Sequence, residues 1–250
     1  MDHNVRNFLY DNPRFYELAV PEPDEATPKM CLRMFEKFLP APPACILDLG
    51  CGTGRDLGVL SRTCPDCCGV DVLPQVNEYA RSIRPNLRLQ AGDMRSVRLG
   101  RNFDAILCMG SAFLYALTDE DVERTIETFA AHAHGKTLLI LDINNAASFL
   151  ASGNFKEKIE TRIETPEFSA SAVAEMSLDR RNQLLTRKRV WTIPGKPPVE
   201  DYCRYRLYFP KELEKLFRGK GFDLAGMYDN KGLQESDFTG PRLCAAFLKE

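Results

Sequence analysis

The sequence predicts an α/β fold: a mostly parallel, doubly wound sheet carrying an antiparallel β insertion late in the chain. Three observations predict it. Residues 45–56, Cys-Ile-Leu-Asp-Leu-Gly-Cys-Gly-Thr-Gly-Arg-Asp, run from a short apolar strand through three alternating glycines into a helix. Strand-like and helix-like segments then alternate to about residue 143, the pattern of crossover-connected parallel strands. Over 155–209 the alternation stops, and β-rich pieces follow one another with turn signals between them.

The elements follow in order. Residues 1–20 hold Phe8, Tyr10, Phe15 and Tyr16, an aromatic set that either caps the sheet or closes over a ligand. Thr27-Pro28 reads as a helix start with Pro at the first position. Met30, Met34, Phe35 and Phe38 share one face of that helix, and Pro40, Pro42 and Pro43 end it. Cys45–Leu49 is the first strand, and the glycines after it let a ligand approach the backbone. A helix over about 55–63 buries Leu57, Val59 and Leu60. Cys67–Val72 is the second strand, and Pro74 opens a helix with Val76, Tyr79, Ala80 and Ile83 inward. Leu87–Ala91 is the third strand, ended by Gly92-Asp93-Met94. Phe103–Met109 is the fourth, leading to a loop where Phe113 and Tyr115 either line an acceptor pocket or pack beneath it. Thr118–Asp121 starts a helix in the manner of a capping box, with acids on its N-terminal dipole. It runs to about Ala133, and a protonated His132 or His134 would complement its C-terminal end. Lys136–Ile143 is the fifth strand, with Asp142 and Asn144 at its end.

Ile159–Thr165, Ala170–Leu178, Leu185–Ile193 and Tyr202–Phe209 form the insertion, where Trp191, Tyr202, Tyr205 and Tyr208 either line a site or fill a core. Pro210 opens a helix with Leu213, Leu216 and Phe217 inward. Phe222–Tyr228 and Leu243–Leu248 are the final strands, and Gly240-Pro241-Arg242 enters the last.

A chain of 250 residues suffices for one large domain, or a domain with a subdomain, burying roughly 70–75% of its unfolded surface. A hydrophobic content of 44% with 27% charged residues is that of a soluble protein. The net charge is −2 without a strongly basic run, so no nucleic-acid partner is expected. Arg180-Arg181 and Arg187-Lys188-Arg189 read as solvated strand and turn faces. No apolar stretch suits a signal peptide or a bilayer span, so a cytoplasmic protein without a membrane partner is expected. Nine cysteines sit mostly in apolar segments and read as reduced thiols. Cys64, Cys67 and Cys68 include a C-x-x-C spacing, but no second Cys or His pair completes four ligands, and no metal is expected.

The ligand class follows from the acids. Asp48, two residues before the first glycine, would repel a pyrophosphate and suit an ammonium group. The spacing is G-x-G-x-G rather than the dinucleotide G-x-G-x-x-G. Asp71 lies about 20 residues on, where an acid can accept from both ribose hydroxyls.

Asp-x-Gly-x-Gly-x-Gly after a strand resembles motif I of the class I S-adenosylmethionine (SAM)-dependent methyltransferases. Asp71 and Gly92-Asp93-Met94 resemble that family's ribose and adenine positions. The resemblance covers 45–143 by motif and 210–250 by order of elements. It implies a Rossmann-like class I methyltransferase: a seven-stranded, mostly parallel sheet with an antiparallel last strand, and an antiparallel β insertion after strand five. Three parts are expected. They are an N-terminal helical lid over 1–44, a SAM-binding core over 45–154 and 210–250, and an insertion over 155–209 above the acceptor site.

The resemblance also implies SAM as cofactor, with S-adenosyl-L-homocysteine as product. Asp48, Gly50, Cys51, Gly52, Gly54, Asp71, Val72, Asp93, Met94, Met109 and Tyr10 are its expected contacts. Tyr16, Tyr115 and Arg242 are the expected catalytic residues, with Arg242 suited to an acceptor carboxylate or phosphate. The Asp/Asn-Pro-Pro-Tyr/Phe signature of enzymes acting on base amines and glutamine is missing. Small-molecule methyltransferases acting on amino sugars, glycine and similar amines resemble this chain in their Tyr-rich lid and strand-rich insertion. His3, His132 and His134 are poorly placed as bases, leaving Glu17, Asp142 or His3 as fallbacks. An amine needs only to be neutral when it attacks, so N-methylation of a small amine is expected. The alternatives are O- or C-methylation, an RNA or protein acceptor, SAM binding without transfer, and a nicotinamide oxidoreductase. A monomer or homodimer is expected.

Overall fold

The computed structural model describes residues 7–20, 25–150 and 155–250. Short helices α1 (Phe8–Asp11) and α2 (Pro13–Ala19) precede α3 (Ala26–Phe38). The core then alternates: β1 (Cys45–Leu49), α4 (Arg55–Leu60), β2 (Asp66–Asp71), α5 (Pro74–Ile83), β3 (Arg88–Ala91), β4 (Phe103–Cys108), α6 (Asp119–Ala131) and β5 (Ala133–Asn144). After α7 (Ala146–Leu150) come β6 (Lys158–Glu164), β7 (Ser169–Asp179), β8 (Leu184–Thr192) and β9 (Val199–Arg206). The chain ends with α8 (Pro210–Arg218), β10 (Phe222–Tyr228) and β11 (Arg242–Lys249).

The main sheet has seven strands in the order β10-β11-β5-β4-β1-β2-β3. β1 to β5 pair in parallel, and β11 runs antiparallel to both β5 and β10. The central strands are apolar throughout because both faces are covered. Alternate residues supply two cores. Leu47, Ile106, Leu139 and Leu141 pack with Phe113, Phe129 and Phe217 on one face. Ile46, Leu107 and Ile140 pack with Met30, Met34 and Phe35 of α3 on the other.

The second sheet, β6-β7-β8-β9, is antiparallel throughout. Its inner face holds Ala170, Ala172, Trp191 and Ile193 and carries α1, whose Phe8 ring lies 5.3 Å from Trp191. Trp191 and Tyr208 fill cores; Tyr208 stands 5.3 Å from Phe113, itself fully buried.

Three local expectations are corrected. β5 begins at Ala133, inside the expected helix end, because the Phe103 N–H donates to the His132 carbonyl and draws the chain into the sheet. His132 is buried and its Nε2 accepts from the Leu99 N–H, so the ring is neutral rather than a charged complement to the dipole. Arg187 and Arg189 are not solvated: the period-2 alternation of β8 sets them on the same face as Leu185 and Trp191, and only Lys188 of that run is exposed.

Cys64 and Cys67 are buried, with the Cys67 thiol 3.0 Å from the Cys64 carbonyl, and among the described residues no cluster of three metal-ligating side chains forms. Among the described residues no helix is long and apolar enough to cross a membrane.

Candidate functional site

A cleft of about 890 Å³ opens at the carboxyl ends of the parallel strands. That lies near the top of the roughly 300–1,000 Å³ range of ligand pockets and leaves room for two small molecules. Its wall begins at the glycine turn. Gly50 and Gly52 have φ of +81° and +55°, and a Cβ on Gly50 would fall 2.5 Å from the Ala112 Cβ. Only glycine holds that backbone so close to the loop after β4. The Gly50 and Cys51 N–H groups donate to the Val70 carbonyl at 2.8 and 3.1 Å.

Asp71 locks the same turn. Its two oxygens accept from the Gly52 N–H at 2.9 Å and the Leu73 N–H at 3.0 Å. Burial raises its pKa, and the backbone N–H groups of Leu73, Gly52 and Val72 partly offset that.

Asp48 is different. It is buried in the cleft wall, and its Oδ1 has no hydrogen-bond partner among the described residues. Burial, and then the nearby Asp56 and Asp71, push its carboxyl well above the ordinary range. A buried carboxylate without a counter-charge is costly, and an ammonium group of a ligand would relieve it. The residues present therefore fit an elongated ligand with an amino acid at one end and a nucleoside at the other.

Asp93 lines the cleft just beyond β3 but is already paired. Arg95 donates to both its oxygens at 2.7–3.1 Å and bridges on to Asp121 at 2.9 Å. Burial pushes the Asp93 pKa up, but the Arg95 hydrogen bonds and charge hold it below the usual value. Cys51, Val72, Met94 and Met109 also line the cleft. Gly54 does not: it caps α4, and a Cβ there would meet Leu87 and Leu89 at 3.2–3.4 Å, beneath the cleft.

Two structures cover the opening. The first is a latch on α2. Glu17 accepts from Arg84 Nη2 at 2.9 Å and from the Thr53 hydroxyl, while Arg84 Nη1 donates to the Thr53 carbonyl at 3.1 Å. α2 is thereby tied to the glycine turn. Sequence reading missed Arg84, which sits at a helix end like any surface arginine. The second is a row of phenols. Tyr10 and Tyr115 approach at 3.3 Å between hydroxyls, and Tyr115 donates to Tyr205 at 3.3 Å. Burial raises the pKa of all three and brings Tyr16 to about 12, so these phenols donate hydrogen bonds and do not act as bases.

The structure brings Tyr10, Tyr16, Tyr115 and Arg242 together on the cleft wall. Phe113 instead lies in the core. Arg242 is committed: its Nε donates to Asp142 at 2.8 Å and its Nη1 to Asn144 at 2.7 Å and Ser111 at 3.1 Å. Glu17 and Asp142 are thus both ion-paired. His132 and His134 lie at the amino ends of β4 and β5, the end of the sheet away from the cleft, where His134 meets Asp104 at 3.0 Å. His3 lies outside the described residues.

Residues 46–136 match the methyltransferase domain family. Among curated proteins, the chain is 32% identical over 97 residues to a dTDP-3-amino-3,4,6-trideoxy-alpha-D-glucopyranose N,N-dimethyltransferase of Streptomyces venezuelae. That alignment covers 39% of this chain and 41% of the relative. It is 26% identical over 194 residues to a dTDP-3-amino-3,6-dideoxy-alpha-D-glucopyranose N,N-dimethyltransferase of Streptomyces fradiae, covering 74% of this chain and 72% of that protein. Among solved structures, a SAM-bound amino pentose methyltransferase from Micromonospora echinaspora superposes with a TM-score of 0.74 at 21% identity, over 99% of this chain and 100% of that one. That likeness is one of fold. The methyltransferase-domain match falls on residues 46–136, the stretch that builds β1 to the start of β5 and the cleft beside them.

Proposed function

We propose that this chain, built on a class I SAM-dependent methyltransferase core, transfers a methyl group from SAM to the amino nitrogen of a small, sugar-like acceptor. The observation that carries the reading is Asp48, a buried carboxylate in the cleft whose missing counter-charge an amino acid ammonium would supply. The nitrogen preference is supported by the state of the side chains expected as bases: Glu17 and Asp142 are ion-paired, and the phenols hold their protons. The curated relatives named above act on amino sugars.

In this reading Asp48 takes the ammonium, Asp71 the ribose hydroxyls and Asp93 with Met94 the adenine. When bound, SAM would supply a methyl group already activated as a sulfonium, with a neutral thioether as leaving group; the acceptor nitrogen must arrive neutral, takes the positive charge with the methyl group, and sheds its proton to solvent. The protein's part is position and water exclusion. Alignment of two bound partners is worth roughly 7–11 kcal/mol. α1 and α2 act as the lid, held by Glu17, whereas α3 packs beneath the sheet, and residues 155–209 cover the acceptor. Tyr10, Tyr16 and Tyr115 orient the amine through hydroxyl contacts. The test is incubation with labelled SAM and a panel of amino sugars, glycine, phenols and RNA. Label on an amine is the expected result; label on phenols or RNA and none on amines overturns the proposal.

A further inference from the structure

Arg187 is half-buried on the inner face of β8, behind the phenol row. Its Nε and Nη2 are buried and have no hydrogen-bond partner among the described residues. The Tyr205 ring lies 5.9 Å from its Cζ, and Tyr205 hydrogen-bonds Tyr115 on the cleft wall. Cys203 and Met176 are its neighbours across the sheet.

Arg189, two residues on, shows what a structural arginine looks like on this face. Asp201 accepts from its Nε at 3.0 Å and its Nη2 at 2.6 Å, and Asn7 accepts from Nη2 at 3.0 Å. Asp201 also takes the Trp191 indole at 2.7 Å and the Phe8 N–H at 3.2 Å. Its Oδ2 is filled by these donors and its Oδ1 accepts from Arg189 Nε at 3.1 Å, so although the charge of Asp201 reaches Arg187, no carboxylate among the described residues hydrogen-bonds the Arg187 Nε or Nη2. A buried, unpaired charge is unfavourable in a finished fold, and sites that keep one commonly meet its counter-charge in a ligand. Nε and Nη2 form one edge of the guanidinium fork, which matches two oxygens of a carboxylate or phosphoryl group.

We infer that Arg187 is an oxyanion subsite of the acceptor pocket. The acceptor carries a phosphoryl or carboxylate group that Arg187 binds from behind Tyr205, while its amine faces the cleft past Tyr115. Arg242 is the other arginine near the pocket suited to this task, but its guanidinium already serves Asp142, Asn144 and Ser111. The inference rests on the amine-methyltransferase reading for the identity of the acceptor, and on the unpartnered guanidinium alone for the anion.

The test is calorimetry on the full chain saturated with S-adenosylhomocysteine, titrated with inorganic pyrophosphate in one arm and succinate in the other. Wild-type protein is expected to bind one of them, which identifies the anion as phosphoryl or carboxylate. Arg187→Met should weaken that binding roughly tenfold to hundredfold, as for loss of charge-assisted hydrogen bonds, with unchanged S-adenosylhomocysteine affinity. The melting temperature of ligand-free Arg187→Met should equal or exceed wild type, whereas Arg189→Met, which orphans Asp201, should melt lower. Neither probe binding wild type, or equal binding by Arg187→Met, overturns the subsite. So does an Arg187→Met melting point as low as that of Arg189→Met, which would make Arg187 a structural strut. If anion binding depends on Arg187 but no amine is ever methylated, the subsite stands and the amine reading falls.

Discussion

Replacing Asp48 with asparagine separates what this carboxylate does for the ligand from what it costs the fold. The change keeps shape and removes charge. In the ligand-free protein Asp48 is buried with an unpartnered Oδ1 beside Asp56 and Asp71, and its pKa is raised. The unfolded chain, with an ordinary value near ~3.9, ionises first as pH rises. The folded form is therefore penalised from that pH up to its own raised pKa, and the penalty persists above it. Asp48→Asn removes it, so the ligand-free variant should be as stable as wild type or more so at neutral pH, and equally stable in acid. Binding should move the other way. A charge-assisted contact to a ligand ammonium is worth about 1.5–3 kcal/mol, so the affinity for S-adenosylhomocysteine should fall roughly tenfold to 150-fold. Wild-type affinity should also rise with pH through the raised pKa of Asp48, and the variant should lack that dependence. Calorimetry across pH, paired with thermal melts, reads all three quantities. Unchanged affinity at every pH, or a variant that melts well below wild type, would refute the reasoning, because Asp48 would then be a satisfied structural group.

Other substitutions probe neighbouring claims. Asp71→Ala removes the acceptor of the Gly52 and Leu73 N–H groups as well as the proposed ribose contact, so SAM affinity should fall by about 1–3 kcal/mol, read by calorimetry. Arg84→Met cuts the latch between α2 and the glycine turn; the dissociation rate of S-adenosylhomocysteine in stopped flow should rise while the far-UV spectrum, set by the backbone ladders of the sheet, stays that of wild type. His132 has a lowered pKa through burial, and Arg98 adds to this while its bond to the Thr128 carbonyl opposes it. The unfolded chain takes up that proton first, so stability should decline as pH falls below about 6.5 toward the lower folded value, as thermal melts would show. His132→Gln should flatten this slope.

The order of strands, the glycine turn and the acids at three strand ends were legible because each is written locally. Apolar runs specify buried parallel strands, alternation specifies the insertion, and Asp-x-Gly-x-Gly-x-Gly demands a backbone that only glycine adopts at Gly50. Boundaries shifted by a few residues, as at β9, which runs over Val199–Arg206 rather than Tyr202–Phe209, and at β5, where Phe103 draws residue 132 toward the sheet. The Arg187-Lys188-Arg189 run read as solvated because the sequence shows a charge run but not what lies across the strand face.

By itself, then, the sequence determined the α/β scaffold and which carboxylates stand at the ends of β1, β2 and β3. Tertiary structure decided which charges are compensated. Glu17 finds Arg84 across 67 positions and Arg242 finds Asp142 across 100, while Asp48 and Arg187 end their side chains in buried places that leave polar atoms unmatched. The reason is physical: hydrophobic period and glycine stereochemistry are properties of neighbouring residues, whereas Coulomb attraction and desolvation depend on distances in space that only the folded chain sets.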